Sequence, residues 1–342
     1  ELRYLKTELA VPRETSANDG MSVPARSEAL RIVLAPMEGL TDFTMRHVLT
    51  QLSPYDWCVT EFLRITDRLM PNSVFYRHCP ELLSHGCTSN GTPVHFQLLG
   101  SDPHMLALNA RRAVTLGAVA IDLNFGCPAK TVNRHGGGAT LLASSQTLYD
   151  IVKCVREHVP AGTPVSAKMR LGIDSSAELM DNAQAIYEAG ADWLTIHART
   201  KSQGYRPPVD WAAIGRVCRH FPDWQIIANG DIDSHVSLVQ CREITGCTDF
   251  MVGRAAVCEP DLVARLKRPA QGALPWAEVH RWQLHFLQEM AGTENGLVGR
   301  YKQWLAMTTS KYPEAVAQFQ RVKTQKRIAD IVALSDPLHP LS

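Results

Sequence analysis

The residue best suited to chemistry is a cysteine in a glycine-rich segment. Cys127 lies between Gly126 and Pro128 in NFGCPAKTVNRHGGGATLL, residues 124–142, which follows an apolar run. Glycine and proline at this density predict a loop. Free cysteines more often fill core space as small apolar side chains. A position between glycine and proline favours instead a thiol that faces a site and can supply a proton, since its ordinary pKa is about 8.5.

Two later segments indicate a ligand that carries a phosphate. ANGDI (228–232) and MVGRAA (251–256) each close an apolar run, and each contains a glycine. Glycine lets the backbone approach a ligand closely, and the guanidinium of Arg254 can bind two phosphate oxygens at once. In β/α barrels the loops after the seventh and eighth strands commonly form such a site. The two segments alone do not distinguish a nucleotide cofactor from a sugar phosphate.

Polar side chains also recur where the other apolar runs end. Taken singly, Lys168 or His197 is explained as well by a hydrogen-bonded position in a core as by a ligand contact. A ring of such residues is better explained by one built site, because the carboxyl ends of barrel strands share one rim. The ring comprises Met37, Glu38, Glu61, Gln97, Asn124, Lys168, Arg170, His197, Asn229, Gly253 and Arg254.

Eight apolar runs are the elements that must position these residues. The runs are roughly 25 to 45 residues apart, which leaves room for a helix and two loops between neighbours. Runs that are apolar on both faces are typical of parallel strands covered by helices. We therefore predict an α/β fold, a (β/α)8 TIM barrel over residues 29–270, with a doubly wound open sheet as the alternative. The runs begin at residues 31, 57, 93, 119, 164, 192, 224 and 248.

The chain on either side of the predicted barrel has a different character. In residues 275–290, apolar residues recur at helical spacing behind Pro275, a residue that suits a helix start. The segments 300–312 and 313–334 continue in the same way. We predict a C-terminal helical domain over residues 275–342. Residues 1–28 are polar without a sustained period, and we predict a disordered leader there.

Composition limits the class of protein, and the charge is unevenly distributed. No apolar run reaches the ~18 residues of a membrane span. Nine cysteines without a CxxC pair indicate reduced thiols of a cytoplasmic protein, and we expect no metal site because no His/Cys cluster has ligand spacing.

Residues 262–330 hold 11 Lys/Arg and 5 Asp/Glu, whereas the rest of the chain holds 24 basic and 29 acidic residues. A basic tail favours an anionic polymer partner, although solvated helix faces produce the same pattern.

The motifs, taken in order, resemble the tRNA-dihydrouridine synthase family over about residues 31–330. PMEG after the first run, TEFLRIT with Arg64 and KQWL (302–305) are similar to the bacterial subclass C, which implies uridine 16 as the target. Phe125 and Ala129 depart from the family pattern within the cysteine motif, and residues 1–28 have no counterpart in it. The matching motifs are LAPMEGLTD (34–42), TEF (60–62), QLLG (97–100), DLNFGCPAKTV (122–132), KMRLG (168–172), HART (197–200), ANGDI and VGRAA.

The resemblance implies an FMN bound noncovalently in the barrel mouth, with NADPH as the reductant. Gln97 and Lys168 would address the polar edge of the flavin, and Pro36, Met37 and Glu38 would line it. The residues expected at the ribityl chain and phosphate are His197, Asn229, Gly230, Asp231, Gly253 and Arg254.

The resemblance further implies tRNA as the substrate. Hydride would reach C6 of a D-loop uracil, Cys127 would protonate C5, and Asn124 would hold the polar edge of the base. Tyr205 is explained equally well by base stacking or by loop packing. We expect a monomer without membrane association. The RNA contacts expected on loops at the active face are Arg64, Arg170, Arg199 and Tyr205, and those in the tail are Arg281, Arg300, Lys302, Lys311, Arg321 and Lys323.

Three alternatives remain open at this point. Another FMN barrel, similar to dihydroorotate dehydrogenase, would act on a free pyrimidine, but such an enzyme has no use for the basic tail. A Schiff-base aldolase would use Lys168 with a sugar phosphate, and a bound flavin would exclude it. An RNA-binding protein without catalysis would be excluded by NADPH oxidation.

Overall fold

Parallel strands form the centre of the protein in the computed structural model, which describes residues 29–134, 136–290 and 292–335. The predicted leader, residues 1–28, lies outside the described residues. The strands are β1 (Arg31–Leu34), β2 (Trp57–Val59), β3 (Leu63–Arg64), β4 (Val94–Leu99), β5 (Ile121–Phe125), β6 (Val165–Arg170), β7 (Trp193–His197), β8 (Gln225–Asn229) and β9 (Asp249–Val252).

The sheet closes on itself. Each strand from β4 to β9 pairs with the next, β9 pairs with β1, β1 with β2, and β2 with β4. The two-residue β3 pairs further along β4 than β2 does, so β2 and β3 occupy one position in the barrel, interrupted at residues 60–62. The predicted eight-stranded β/α barrel is therefore confirmed, and the open-sheet alternative is excluded because its edge strands would not pair.

Helices surround the barrel because each has one apolar face. In α5, Leu148, Ile151, Val152 and Val155 are buried, a spacing that places them on one side of the helix. Short 3-10 helices cover Pro80–Ser84 and Gly138–Ala143. The helices of this layer are α1 (Phe43–Leu52), α2 (Asn72–His78), α3 (Pro103–Thr115), α4 (Lys130–Asn133), α5 (Ser145–His158), α6 (Leu179–Glu188), α7 (Trp211–His220), α8 (His235–Thr245), α9 (Arg254–Cys258) and α10 (Leu262–Lys267).

Within the described residues, four further helices follow the barrel: α11 (Trp276–Glu289), α12 (Glu294–Thr308), α13 (Pro313–Val322) and α14 (Ile328–Ala333). Val279, Tyr301 and Leu305 belong to an apolar cluster of their own. Phe286 and Trp304 belong instead to the main core, and the Trp304 indole donates to the carbonyl oxygen of Val257 at 3.0 Å. The helices predicted after residue 275 are present, and α12 packs on α9 of the barrel. The boundary of a separate domain stays a prediction.

Aromatic residues fill the amino-terminal end of the barrel. Trp57 and Trp193 are the first residues of β2 and β7, and the ring centroids of both lie within 6 Å of the imidazole of His95, at 5.2 and 5.5 Å. All three side chains are buried. The interior is therefore packed at this end, which leaves the carboxyl ends of the strands to form a site. Among the helices of the described residues, none is long and apolar enough to cross a membrane.

Candidate active site

A cavity of about 830 Å³ opens at the carboxyl ends of the strands. Every residue predicted to bind the cofactor lines it, together with Cys127 and five of the residues predicted to contact substrate or RNA. The predicted RNA contacts that do not line it are Arg64, Arg281, Arg300, Lys302, Arg321 and Lys323. The predicted residues in the cavity wall are Pro36, Met37, Glu38, Glu61, Gln97, Asn124, Cys127, Lys168, Arg170, His197, Arg199, Tyr205, Asn229, Gly230, Asp231, Gly253, Arg254 and Lys311.

The cysteine loop is held in place by hydrogen bonds to its backbone. The side-chain oxygen of Asn124 accepts from the backbone N–H groups of Gly126 and Cys127, both at 2.9 Å. The carbonyl oxygen of Cys127 accepts from the backbone of Ala139 at 3.0 Å. Gly138 has a φ of +62°, and a Cβ there would lie 2.7 Å from that same carbonyl oxygen. The glycine run is therefore required for the close approach of the two loop segments.

The environment of Cys127 keeps its thiol protonated. The side chain is half-buried, and desolvation raises its pKa, against the opposing effects of a backbone hydrogen bond from Ala129 and the charges of Arg170 and Lys168. Burial disfavours the charged thiolate, so the neutral S–H predominates at neutral pH. The thiol is thus in the state that a proton donor needs.

A buried polar chain stands behind the cysteine loop. Asn124 donates to the side-chain oxygen of Gln97 at 2.8 Å, and Gln97 donates to Asp122 at 2.7 Å. Ser166 donates to the other oxygen of Asp122 at 2.6 Å. Asn124 therefore positions the Cys127 loop, and its expected contact with a uracil stays a prediction. Sequence reasoning missed the role of Asp122, although an aspartate inside an apolar run is a usable sign of a buried polar network.

Burial and neighbouring positive charges lower the pKa values of two further groups in the cavity wall. Desolvation, followed by the neighbouring Arg170, lowers the pKa of Lys168 to about 8. Desolvation, followed by Lys168, Arg170 and Arg199, lowers the pKa of His197 far below its ordinary value, so that its imidazole is neutral. The cavity wall at β6 and β7 is thus electropositive, and a bound anion would stabilise the charged form of Lys168.

Two predicted RNA-contacting arginines are buried. Arg170 lies within β6, not on a loop as expected, and donates to the carbonyl oxygens of Gly126 at 2.9 Å, Thr200 at 3.0 Å and Gly204 at 2.7 Å. Arg199 is 2% exposed and donates to Asp231 at 2.6 Å. Five planar N–H groups suit a guanidinium to such multiple carbonyl contacts. Both arginines brace loops of the cavity rim.

Tyr205, on the loop after β7, lies close to two guanidinium groups. Its ring centroid is 5.4 Å from the guanidinium carbon of Arg170 and 4.5 Å from that of Arg254. The side chain is 56% exposed. Cation–π contacts orient the ring at the cavity mouth. Tyr205 therefore packs against both guanidinium groups while its side chain stays largely exposed, and its stacking on a base stays a prediction.

The loop after β8 has an unusual backbone shape. Gly230 and Asp231 have φ values of +121° and +52°. A Cβ at Gly230 would lie 3.1 Å from the His197 ring and 3.2 Å from Val209. Asn229 donates to the carbonyl oxygen of Met251 at 2.9 Å, which joins this loop to β9. The predicted need for glycine at position 230 thus has a steric cause.

The β1–α1 loop and the C-terminal helices form the remaining wall. The backbone N–H of Gly39 donates to Glu61, whose pKa is raised by burial. Arg300 of α12 donates to the carbonyl oxygens of Gly39 and Leu40 and forms an ion pair with Asp42. Glu61 of the predicted rim and Lys311 of the tail also line the cavity. Gln303 and Met307 line it as well, and sequence reasoning did not assign them a role. Their four-residue spacing on α12 was the available sign, because it places both side chains on one face of the helix.

Three of the predicted residues outside the cavity, Arg64, Arg300 and Lys302, contact other parts of the protein or lie in a strand. Arg64 lies in the short strand β3 and is half-buried. Lys302 donates to the carbonyl oxygens of Lys323, at 2.9 Å, and Gln325. Arg300 makes the loop contacts described above. Intramolecular partners thus occupy both tail cations, and their contact with RNA stays a prediction.

The cavity of this closed β/α barrel contains a thiol on a loop, a lysine whose pKa is lowered, and a rim whose close contacts require glycine. Together these features define a barrel enzyme. The model of the family described as "Dihydrouridine synthase (Dus)" matches residues 33–332. The chain belongs to the dihydrouridine synthase family. The predicted family and enzyme class are confirmed. Both favour the synthase over the free-pyrimidine enzyme, the aldolase and the non-catalytic RNA-binding protein.

Individual proteins that are similar to this chain over most of its length carry names from the same family. A "tRNA-dihydrouridine(16) synthase" of Shewanella oneidensis is 45% identical over 307 residues, which cover 89% of this chain and 96% of the relative. One of the same name from Pasteurella multocida is 46% identical over 302 residues, covering 86% and 95%. Among solved structures, morphinone reductase shares the fold with a TM-score of 0.53 at 13% identity, over 72% of this chain and 87% of its own.

Proposed function

We propose that this enzyme reduces a uridine in the D-loop of tRNA, at position 16, to 5,6-dihydrouridine, with FMN as the bound cofactor and NADPH as the reductant. The names of the relatives that are 45% and 46% identical support tRNA and position 16. The observation that carries the proposal is the neutral thiol of Cys127 in the same cavity as the electropositive wall around Lys168. tRNA as the substrate implies a cytoplasmic enzyme, and we propose that it acts as a monomer.

Three observations support FMN in this cavity. Its volume of about 830 Å³ lies within the ~300–1,000 Å³ typical of cofactor pockets. Because residue 230 is a glycine, a space that a Cβ would fill remains next to the His197 ring. The exposed Arg254 offers a guanidinium for a phosphate. The residues proposed to hold the cofactor are Pro36, Met37, Glu38, Gln97, Lys168, His197, Asn229, Gly230, Asp231, Gly253 and Arg254.

The protein side chains complete the addition across the C5=C6 bond of uracil. An FMN held by these residues and reduced by NADPH would supply the hydride for C6. Cys127 donates the proton of its Sγ to C5, so that one hydride and one proton are added and the thiolate is later reprotonated from solvent. Asn124 positions the cysteine through the backbone of residues 126 and 127. Lys168 would compensate negative charge at the polar edge of an FMN bound there.

The substrate base must leave the folded RNA to reach this cavity. A stacked base cannot present its C5–C6 edge to a reactant inside the barrel, so the uridine is expected to be flipped out. Tyr205, exposed at the rim, is proposed to stack on it or on a neighbouring base. We propose residues 275–342 as the tRNA-binding domain, because the helices after the barrel are basic and α12 contributes Gln303 to the cavity wall.

Replacement of the proposed acid tests the function directly. Cys127→Ala is expected to lower the turnover of unmodified tRNA by about 10² to 10⁴, the usual contribution of a general acid. Reduction of the flavin by NADPH is expected to remain, because the thiol takes no part in it. The product is measured by mass spectrometry of nuclease fragments, which also locates the dihydrouridine at position 16.

Cys258→Ser is the matched control. Cys258 is half-buried and lines the same cavity, but on α9 rather than on the glycine-rich loop. Its replacement is expected to leave turnover near that of the wild type. Unchanged uridine reduction in Cys127→Ala would overturn the assignment of the acid, and dihydrouridine at another position would overturn the proposed target.

A further inference from the structure

A second group of reactive side chains lies on the outer helices of the barrel. His104 is at the start of α3, and Cys154 and His158 are in the last turns of α5. One nitrogen or sulfur atom from each of the three residues lies within 4.8 Å of the other two. The ring centroids of His104 and His158 are 5.8 Å apart.

The fold brings these three residues together in two ways. Cys154 and His158 are four residues apart, so they project from the same face of α5. Packing of α3 against α5 then adds His104, which is 50 residues away from Cys154 in the sequence. The expectation of no metal site rested on spacing in the sequence, and no sequence pattern connects His104 with Cys154 and His158.

A hydrogen bond orients the ring of His158. Its Nδ1 lies 2.8 Å from the carbonyl oxygen of Cys154. Because a carbonyl oxygen only accepts, Nδ1 must carry the hydrogen, and the lone pair of the neutral ring is then on Nε2. Histidines that bind metals commonly donate their other ring N–H to a backbone carbonyl in this manner.

We propose that His104, Cys154 and His158 form a Zn²⁺ site, with water as the fourth ligand. One thiolate and two imidazoles are a donor set that zinc prefers, and three protein ligands leave one position of a tetrahedron open. His104 is exposed and the other two residues are half-buried, so the ion can reach the site from solvent. The carboxylates of Asp102 and Glu157 lie close enough to act on Cys154 electrostatically, which favours a cation.

The site would link two helices and would not take part in the reaction. None of the three proposed ligands is among the residues that line the cavity at the carboxyl ends of the strands. An ion bound to both α3 and α5 would stabilise the folded state by mass action, because the unfolded chain does not hold the ligands together. The proposal is independent of the function assigned to the cavity.

Zinc binding to the intact, flavin-loaded protein tests the proposal. After removal of metal with a chelator, one equivalent of Zn²⁺ is expected to bind and to raise the melting temperature. X-ray absorption at the zinc edge is expected to show one sulfur at about 2.3 Å and two nitrogens at about 2.0–2.1 Å. Each of three substitutions is expected to weaken zinc binding on the order of 100-fold or more: Cys154→Ser, His104→Ala and His158→Ala. Loss of a residue that only hydrogen-bonds to a metal ligand usually has a smaller effect.

Two substitutions serve as controls for surface cysteine and histidine. Cys87→Ser replaces another half-exposed thiol, and His220→Ala replaces an exposed histidine at the end of α7. Both are expected to bind zinc as the wild type does. The proposal is overturned by the absence of stoichiometric binding, by a zinc spectrum without sulfur, or by equal affinity in the wild type and Cys154→Ser. Flavin content and circular dichroism verify folding, and the exposed His104→Ala variant keeps the test decisive if Cys154→Ser is unstable.

Discussion

At the scale of single residues, Cys127 illustrates how burial and neighbouring charge compete for one proton. Desolvation raises its pKa, while Arg170 and Lys168 lower it, and burial has the larger effect. Lys168 responds in the opposite direction, since burial disfavours its charged form and lowers its pKa to about 8. The cavity thus combines a protonated thiol with a lysine that titrates near physiological pH.

The raised pKa of Cys127 predicts an alkaline limit to uridine reduction. An acid must be protonated to act, so the single-turnover rate should be level at neutral pH and fall only above the ordinary thiol pKa of about 8.5. The measurement follows the reoxidation of pre-reduced enzyme by tRNA from neutral to alkaline pH. In Cys127→Ser the part of the decline that the thiol causes should be lost, because a serine hydroxyl does not titrate there, and only a decline due to Lys168, whose pKa is about 8, should remain. Identical pH profiles in the wild type and Cys127→Ser would contradict the assignment.

At the scale of elements, the active loop depends on contacts between segments that follow β5. Gly138 begins a 3-10 helix and lies against the carbonyl oxygen of Cys127, while Asn133 of α4 donates to the same oxygen at 3.2 Å. Arg170 of β6 joins the loop at Gly126. The thiol is therefore positioned by three neighbouring elements, which restricts its movement relative to the cavity.

Gly138→Ala is expected to displace this loop and to lower turnover by at least about 10-fold. Displacements of the order of 1 Å at reacting groups can cost about 100-fold, and a Cβ at Gly138 would lie 2.7 Å from a backbone oxygen. Gly136→Ala is the matched control. Its φ of +68° brings a similar backbone strain, but a Cβ there has nothing within 4 Å. Steady-state kinetics and thermal unfolding should show lost stability in both variants and lost turnover only in Gly138→Ala. Equal turnover in the two variants would contradict this prediction.

At the scale of the whole molecule, charge is divided between the barrel and the helices that follow it. Residues 262–330 hold 11 Lys/Arg and 5 Asp/Glu, in a chain whose formal net charge is +1. The contacts of Arg300 with the β1–α1 loop and of Trp304 with Val257 attach the helices to the barrel next to the cavity. A basic surface attached beside the active site suits a long anionic substrate.

This distribution predicts that tRNA affinity falls steeply with salt. Each lysine or arginine that contacts a phosphate contributes about −0.7 to −0.9 to the slope of log K against log salt concentration. The double variant Arg321→Gln/Lys323→Gln, which changes two exposed tail residues, should flatten the slope by about 1.4 to 1.8 if both make contact. Arg219→Gln on α7 of the barrel layer should leave it unchanged. A slope near zero for the unmodified enzyme would contradict the role of the tail.

The sequence by itself determined the barrel, its rim and the family. Runs apolar on both faces require cover from helices, and parallel strands direct the polar residues at their carboxyl ends into one cavity. Only the tertiary structure decided how the protein uses these polar groups. Arg170 donates to carbonyl oxygens 30 and 44 residues away, so its burial could not be inferred from local pattern. The entry of α12 into the cavity wall and of His104 into the histidine–cysteine cluster likewise depends on helix packing, because such contacts join residues whose separation in the chain follows no period.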